Sequence, residues 1–491
     1  MHLVRWVVSL AWGLLIVSLF YDPVSAVLTH PDNPWSWLAD STIAASADPT
    51  ECIRVQSRCL FLEPYAIGSR VFWGMAVPGA IFIVLVFGHE FWRRICPLYF
   101  FSQIPRALGL KPLQDIERNQ WLQNNHFYVQ FVLFFLGITG RILLVNSVRP
   151  ALGLFFILTL LSAVGVVALY GGRSWCHYVC PFGMVQTVFT GPRGLLDSAA
   201  HQAPPYSLTQ STCRTVDSQG QEQSACISCK SSCLDIDSEQ AYWEQLHKPG
   251  RQLVQYGYLG LVVGYFCYYG LYAGSFDYYF SGVWSHESGT IAALLNPGFY
   301  VAGRAIAIPK LIAAPVTLAA FAAFSCWLCT RVERYYRGHL KRKQPTVPVE
   351  QSLHRLFSVC TFLAFNGFFV YGGRPEINQW PLAAQFGFQS VVAISSSLWL
   401  CRTWGRSREQ YQKERSADSF RRQLKRLPGV NDLLGDHTLE QLSAEELSIL
   451  ARTLTQIAPS VDRTSQSLPQ TVLRRSPAPT APQSTTQIRP R

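Results

Sequence analysis

Six of the fourteen cysteines in this chain lie between Cys176 and Cys233. They fall into two pieces. The later one, Cys226-x2-Cys229-x3-Cys233, reproduces the last three ligand positions of the bacterial iron–sulfur run C-x2-C-x2-C-x3-C-P. Thiolates suit a [4Fe-4S] cluster because each iron takes one soft anionic ligand, and short spacings let one loop wrap three corners of the cube. Cys213 is the nearest fourth ligand, and Ile236-Asp237 keeps the end of the ferredoxin pattern, with Leu234 in place of its proline. The competing reading is a structural four-cysteine zinc site. Zinc usually takes two C-x2-C knuckles, whereas here C-x2-C runs on into C-x3-C, so iron–sulfur is the expectation.

The earlier piece, Trp175-Cys176-His177-Tyr178-Val179-Cys180-Pro181, reads C-x3-C-P and offers two ligands. Four readings stand open. Cys176 or Cys180, rather than Cys213, closes the first cluster. A second cluster is completed by Cys326 and Cys329. The pair is a bare redox dithiol whose lowered pKa favours the thiolate. Or Cys180-Pro181 merely ends a helix.

The elements that position these cysteines are transmembrane helices. Of 491 residues, 49% are hydrophobic and only 15% charged, well below the roughly 25% charged content of soluble domains. Apolar runs long enough to cross about 30 Å of hydrocarbon occur at Val4–Phe20, Val71–Gly88, Phe127–Val145, Ala151–Tyr170, Leu253–Gly274, Leu311–Cys329, Leu356–Gly372 and Leu382–Leu400. The first also reads as a signal peptide, with Arg5 before it and Val24-Ser25-Ala26 after it. The expectation is an all-α polytopic membrane protein of about eight spans, integral to a bacterial cytoplasmic-type membrane. A membrane domain covers 1–404, with the iron–sulfur loop at 171–252 inside it.

Orientation follows from the basic residues. The net charge of +12 needs no nucleic-acid partner. Arg93, Arg94, Arg106 and Lys111, then Arg173, Arg193 and Lys230, then Arg331 to Lys343 fall in alternate loops, which the positive-inside rule places in the cytoplasm. The motif cysteines therefore lie on the reducing side. Cys52 and Cys59 fall in the first outside loop, where a disulfide is open to them. Capping-box spacings at Thr438–Gln441 and Ser443–Glu446 place a helical cytoplasmic tail at 405–457, and the Pro/Ser/Thr/Gln-rich composition of 458–491 reads as disordered.

The chain repeats itself. Gly88-His-Glu-Phe-Trp92-Arg-Arg-Ile-Cys96-Pro97 aligns with Gly172-Arg-Ser-Trp175-Cys176-His-Tyr-Val-Cys180-Pro181, with Trp92 opposite Cys176. A fainter echo follows at Cys326–Arg331 and Trp399–Arg402. His89, His126 and His354 lie at helix ends and read as interfacial, as does His177 inside the motif. None is mid-membrane, so no haem relay is indicated. The tyrosines of the Leu253–Gly274 run either line a quinone pocket or form aromatic belts. Arg141 should snorkel, and Asn366 should hydrogen-bond between helices. Charged residues are too scarce within the helices for a transporter.

Cys176-x3-Cys180-Pro181 after a helix, the degenerate twin at Cys96-Pro97 and the ferredoxin-like loop together resemble the NapH/NosR/FixG-type membrane ferredoxin-like proteins, over about residues 70–250. The resemblance implies [4Fe-4S] ligation by Cys226, Cys229 and Cys233, with Cys176, Cys180 and Cys96 as membrane-edge motif cysteines. It implies one-electron transfer between a quinol or soluble donor and a partner reductase, in the lipid bilayer, or metal-ion reduction in a maturation pathway. Such proteins often carry two full ferredoxin motifs; this chain has one, so one cluster is expected, with the second resting on Cys176 and Cys180. The alternative function is a membrane scaffold or redox/metal sensor with a four-cysteine zinc or thiol site.

Overall fold

A computed structural model describes residues 2–30, 32–33, 36, 52–61, 63–114, 116–196, 214–216, 222–224, 237–287, 289–343, 348–424 and 446. Cys213, Cys226, Cys229 and Cys233, and the expected tail beyond Leu424, lie outside this set apart from Glu446. The chain divides into two units, Met1–Tyr411 and Gln412–Arg491. The second is described only over 412–424, which is helical, and at Glu446.

The first unit is mostly helical. Its long helices are α1 (His2–Phe20), α2 (Val77–Ile95), α3 (Gln120–Gly140), α4 (Arg149–Tyr170), α5 (Tyr258–Ala273), α6 (Lys310–Lys343), α7 (Val349–Tyr371) and α8 (Leu382–Trp404). Two-stranded antiparallel hairpins pair Ile53–Val55 with Arg58–Leu60, Arg214–Val216 with Glu222–Ser224 and Pro297–Val301 with Arg304–Pro309. The first carries a Cys52–Cys59 disulfide, Cα–Cα 5.4 Å.

Among the described residues six helices are long and apolar enough to cross a membrane: Leu3–Phe20, Ile67–His89, Gln120–Val145, Arg149–Tyr170, Lys310–Lys343 and Val349–Tyr371. The fifth and eighth of the expected runs are also helical, α5 preceded by a π-helical turn at Leu253–Gly257, and α8. Gln255 and the tyrosines make the first too polar to count, and Gln385, Gln389 and Ser395–Ser397 do the same in α8. Helix α6 has 34 residues, about 50 Å, so its Arg331–Lys343 end projects past a 30 Å hydrocarbon layer.

Helix α5 lies in the core of the bundle, with Tyr258, Leu261, Val262, Tyr265, Phe266 and Tyr269 buried and Val263 on its open side. Several of its tyrosine hydroxyls find protein partners, whereas that of Tyr268 is buried without one among the described residues. Tyr265 and Tyr269 share a hydrogen bond of 2.7 Å, and Asn146 Nδ2 donates to the Tyr269 hydroxyl at 2.6 Å. Gly260 and Gly264 let α6 approach closely. A Cβ at Gly260 would meet the Phe321 carbonyl oxygen at 2.3 Å, and one at Gly264 would meet Phe321 Cβ at 2.8 Å, the small-xxx-small device of helix pairs in lipid. Asn366 bonds across helices as expected, its Nδ2 donating to Ser396 Oγ at 3.0 Å. Arg141 lies over the Trp73 ring at 3.8 Å and the Tyr265 ring at 4.9 Å, so aromatic faces hold a charge that the sequence sent to the interface.

Gly260→Val should therefore cost about 1–3 kcal/mol, the usual range for overpacking, read as a lowered midpoint of thermal unfolding in detergent. Gly137→Val, whose Cβ would meet nothing within 4 Å, should leave the midpoint nearly unchanged.

Candidate functional site

The two Cys-Pro motifs are built alike. Helix α2 is broken at Gly88 (φ 75, ψ −178), and α4 ends at Gly171 (φ 71, ψ 179), a backbone region that only glycine adopts without strain. A helical turn then leads to a cysteine in extended conformation, Cys96 (φ −63, ψ 118) or Cys180 (φ −54, ψ 119). Proline follows at the first position of the next helix, Pro97–Ser102 or Pro181–Thr190, where its missing N–H and fixed φ are no loss. The backbone thus pairs Gly88 with Gly171, one residue off the sequence alignment. The second copy holds one residue more, and a π-helical turn at Trp175–Val179 absorbs it.

Each glycine break removes the amides that would cap the preceding helix, and each copy supplies them to the other. The N–H groups of Leu195 and Leu196, just after the second motif helix, donate to the carbonyls of Leu85 (2.9 Å) and Val86 (2.6 Å). Those of Leu113 and Gln114, after the first, donate to Ala168 (3.3 Å) and Leu169 (2.8 Å). Both pairs of acceptors lie three and two residues before the breaking glycine, so the exchange has the form of a two-fold swap. Gly194 must be small, since its Cβ would sit 2.5 Å from the Gly88 nitrogen. The swap brings the motifs together, with the Trp92 ring 5.1 Å from that of Phe182.

The three motif thiols sit at this junction. Cys180 is buried, packed with Ala163, Val167 and Trp175; Cys96 and Cys176 are half-buried. Burial pushes the Cys180 thiol up to about 12, and the nearby Cys96 adds to this; burial pushes Cys96 up to about 11. The first amides of the following helices, Phe182 and Gly183 for Cys180 and Leu98 and Tyr99 for Cys96, pull the other way, although neither sulfur makes a capping hydrogen bond. Beside Cys176 is a cavity of about 20 Å³ lined by His89, His126, Gln130, His177 and Gln186 among others, room for about one water. The sequence read these three histidines as separate interfacial residues; the fold gathers them, with the His126 and His177 rings 5.6 Å apart. For His89 and His177 the nearness to Gly88 and to the motif in sequence was the available signal; His126 had none.

Arg251 is the residue that sequence reasoning passed over. It is 1% exposed. Its Nη1 donates to Gln255 Oε1 at 3.0 Å, and it lies over the rings of Phe357 (5.1 Å), Tyr242 (5.8 Å) and Phe127 (5.8 Å), the last of which lines the cavity beside Cys176. Its Nε and Nη2 are buried without a hydrogen-bond partner, and none of its contacts among the described residues is a carboxylate. A buried cation in this state is costly unless a negative group lies near it.

The long loop that carries Cys213 to Cys233 is closed at its base. Glu239, 2% exposed, takes a two-pronged ion pair from Arg406 (Nε–Oε1 2.7 Å, Nη2–Oε2 3.0 Å) and a third contact from Arg193 at 3.7 Å. Asp237 Oδ1 caps the helix Ser238–Gln245 by accepting from the Gln240 N–H, and its Oδ2 accepts from the Tyr411 hydroxyl at 2.5 Å. Residues on either side of the loop, 193 and 239, thus share one ion cluster.

Cys326 and Cys329 sit elsewhere, in a cluster with Tyr242, Trp243, Tyr256, Leu353 and Phe357. There Cys329 Sγ is 3.9 Å from the Sγ of Cys360, a residue that no spacing pointed to because it lies on the next helix. Among the described residues no group of three or more His, Cys, Asp or Glu side chains is arranged to hold a metal ion. The orphaned donors of Arg251 and the helix amides beside Cys96 and Cys180 fit an anionic, thiolate-held group.

Glu239→Ala should cost about 3–5 kcal/mol, because it leaves Arg406 and Arg193 without their buried partner. Thermal unfolding in detergent should show this. The double variant Glu239→Ala/Arg406→Ala should lose less than the sum of the singles, as expected of groups in one network.

Residues 152–197 match the family model of a 4Fe-4S binding domain. The matched segment begins within α4, crosses the Gly171 break and both motif cysteines, and ends where the loop begins. It supports an iron–sulfur, ferredoxin-like family for this part of the chain. No curated protein and no solved structure matches the chain.

Proposed function

We propose that this is a membrane-embedded iron–sulfur protein that carries single electrons at the cytoplasmic face, between a quinol or soluble donor and a redox partner. The observation that carries the reading is the 4Fe-4S domain match across Cys176 and Cys180. Cys226, Cys229 and Cys233, with Cys213 as fourth ligand, supply one complete set by spacing. Cys176 and Cys180, with Cys96 opposite, supply the membrane-edge set of a second. Cys326 and Cys329 are assigned more weakly. The topology that goes with it has eight spans in a membrane domain over 1–404, with the loop at 171–252, the helical tail to 457 and the disordered end at 458–491 on the basic, cytoplasmic side.

A bound [4Fe-4S] cluster takes up and returns one electron. The chain's own contribution is electrostatic and steric. Arg251 holds an uncompensated positive charge one aromatic ring away from the pocket beside Cys176. Helix amides face the sulfurs of Cys96 and Cys180. Trp92, Trp175 and Phe182 wall off water around the two motifs. These features favour added negative charge at the thiols and so raise the potential at which an electron is accepted.

Anaerobically purified protein should be brown, contain iron and acid-labile sulfide, and give an EPR signal on reduction. A colourless sample with stoichiometric zinc would establish the scaffold or sensor reading instead. Cys176→Ser, Cys180→Ser and Cys213→Ser should each lower the iron content. Full iron in Cys213→Ser removes that residue from the ligand set.

A further inference from the structure

On the N-terminal side of the Gly88 break, along the start of α2, lies a cavity of about 490 Å³, within the 300–1,000 Å³ range of small-molecule sites. It is bounded by the start of the Ile67–His89 span and by residues 369–388 of α7 and α8. Its walls are aromatic: Tyr65, Phe82, Phe369, Trp380 and Phe388. Leu28, Val71 and Met75 are exposed hydrophobic residues on its lining. Val71 and Met75 belong to a membrane-spanning segment, so the mouth opens where lipid tails run.

One polar feature lies in this apolar lining. Arg70, 2% exposed, pairs with Glu376 (Nε–Oε1 2.8 Å) and lies over the Tyr65 ring at 4.1 Å. Its Nη2 is buried without a hydrogen-bond partner. The space is built in: a Cβ at Gly74 would strike Glu376 Cγ at 2.8 Å, whereas one at Gly79, also on the lining, would meet nothing within 4 Å. The π-helical turn Phe72–Ala76 lies in the same wall, a distortion frequent at functional sites.

From this geometry we propose that the cavity binds an uncharged membrane amphiphile, an oxygen-bearing head against the Arg70–Glu376 pair and a hydrocarbon tail leaving past Val71 and Met75. The pair is neutral as a unit. An anionic head would be repelled by Glu376 and a cationic one by Arg70, each in a low-dielectric setting. A carbonyl or hydroxyl oxygen can accept from a guanidinium N–H without adding charge. Two sources have this chemistry, a neutral glycerolipid and a prenylated quinone. The site is independent of the cysteine chemistry.

The test uses the full chain in detergent. Thermal unfolding is followed with dioleoylglycerol, with decylubiquinone and with dioleoylphosphatidylglycerol. At least one uncharged probe should raise the midpoint saturably, and the one that does so names the source. The anionic lipid should not. Gly79→Phe should weaken the apparent affinity about tenfold or more, the loss of a site's main packing contact, with the probe-free midpoint maintained; Gly79→Leu serves if the Phe variant does not fold. The proposal is overturned if neither uncharged probe stabilises the protein, if the anionic lipid stabilises it most, or if the filled-cavity variant responds like the parent.

Discussion

Four backbone carbonyls in this structure would have no partner without a distant strand of chain. Leu85, Val86, Ala168 and Leu169 lie just before the glycines that break α2 and α4, and receive their hydrogen bonds from residues beyond the opposite Cys-Pro helix. An unmade bond of this kind costs about 1–3 kcal/mol when buried, and at membrane depth no water takes its place. The break is needed because a straight helix would carry each cysteine onward along its axis. The broken helix turns it back over the bundle end, and the swapped caps tie each turn to the other. Bringing two cysteine turns face to face is thus a consequence of satisfying four carbonyls.

Charge is distributed around this junction with similar economy. Arg173 donates to the Tyr99 hydroxyl at 3.1 Å and covers its ring; Arg251 sits among Phe127, Tyr242 and Phe357. Aromatic faces offset part of the cost of burying a guanidinium. At the other end of α5 the logic is reversed. Glu287 is closed off by Lys310 (2.8 Å) and by the hydroxyls of Tyr272 and Tyr278. Although burial alone would raise it, the Lys310 charge and these hydrogen bonds hold its carboxyl below the usual carboxylate range. That ion pair is complete and buried, a structural brace, whereas Arg251 is incomplete beside a cavity.

The parts legible from sequence were those with local signatures. Cys-Pro, the preceding glycines and the apolar runs each announce themselves within a few residues, which is why the helix positions and the twin motifs were readable. The carbonyl swap was not, because a backbone hydrogen bond between residues such as 85 and 195 leaves no mark on side-chain choice. Arg251 drew no notice in the sequence, because its burial is set by rings on three separate elements. The α5 tyrosines were ambiguous between a ligand pocket and interfacial belts. The fold gives several of them a third use, as partners in internal hydrogen bonds.

The two copies of the motif have diverged in a way that the swap makes intelligible. An extra residue in a helix rotates every later residue by roughly 100°. The π turn at Trp175–Val179 takes up that rotation, so Cys180 leads into its helix just as Cys96 does. Where the second copy has Cys176 the first has Trp92, whose ring packs on Phe182 of the second copy. The first copy has given up a thiol and become wall. The second keeps both thiols, the cavity and the 4Fe-4S domain match. A repeated scaffold thereby supports an asymmetric junction: the second copy brings two thiols to it, and the first brings Cys96 with the Trp92 ring against Phe182.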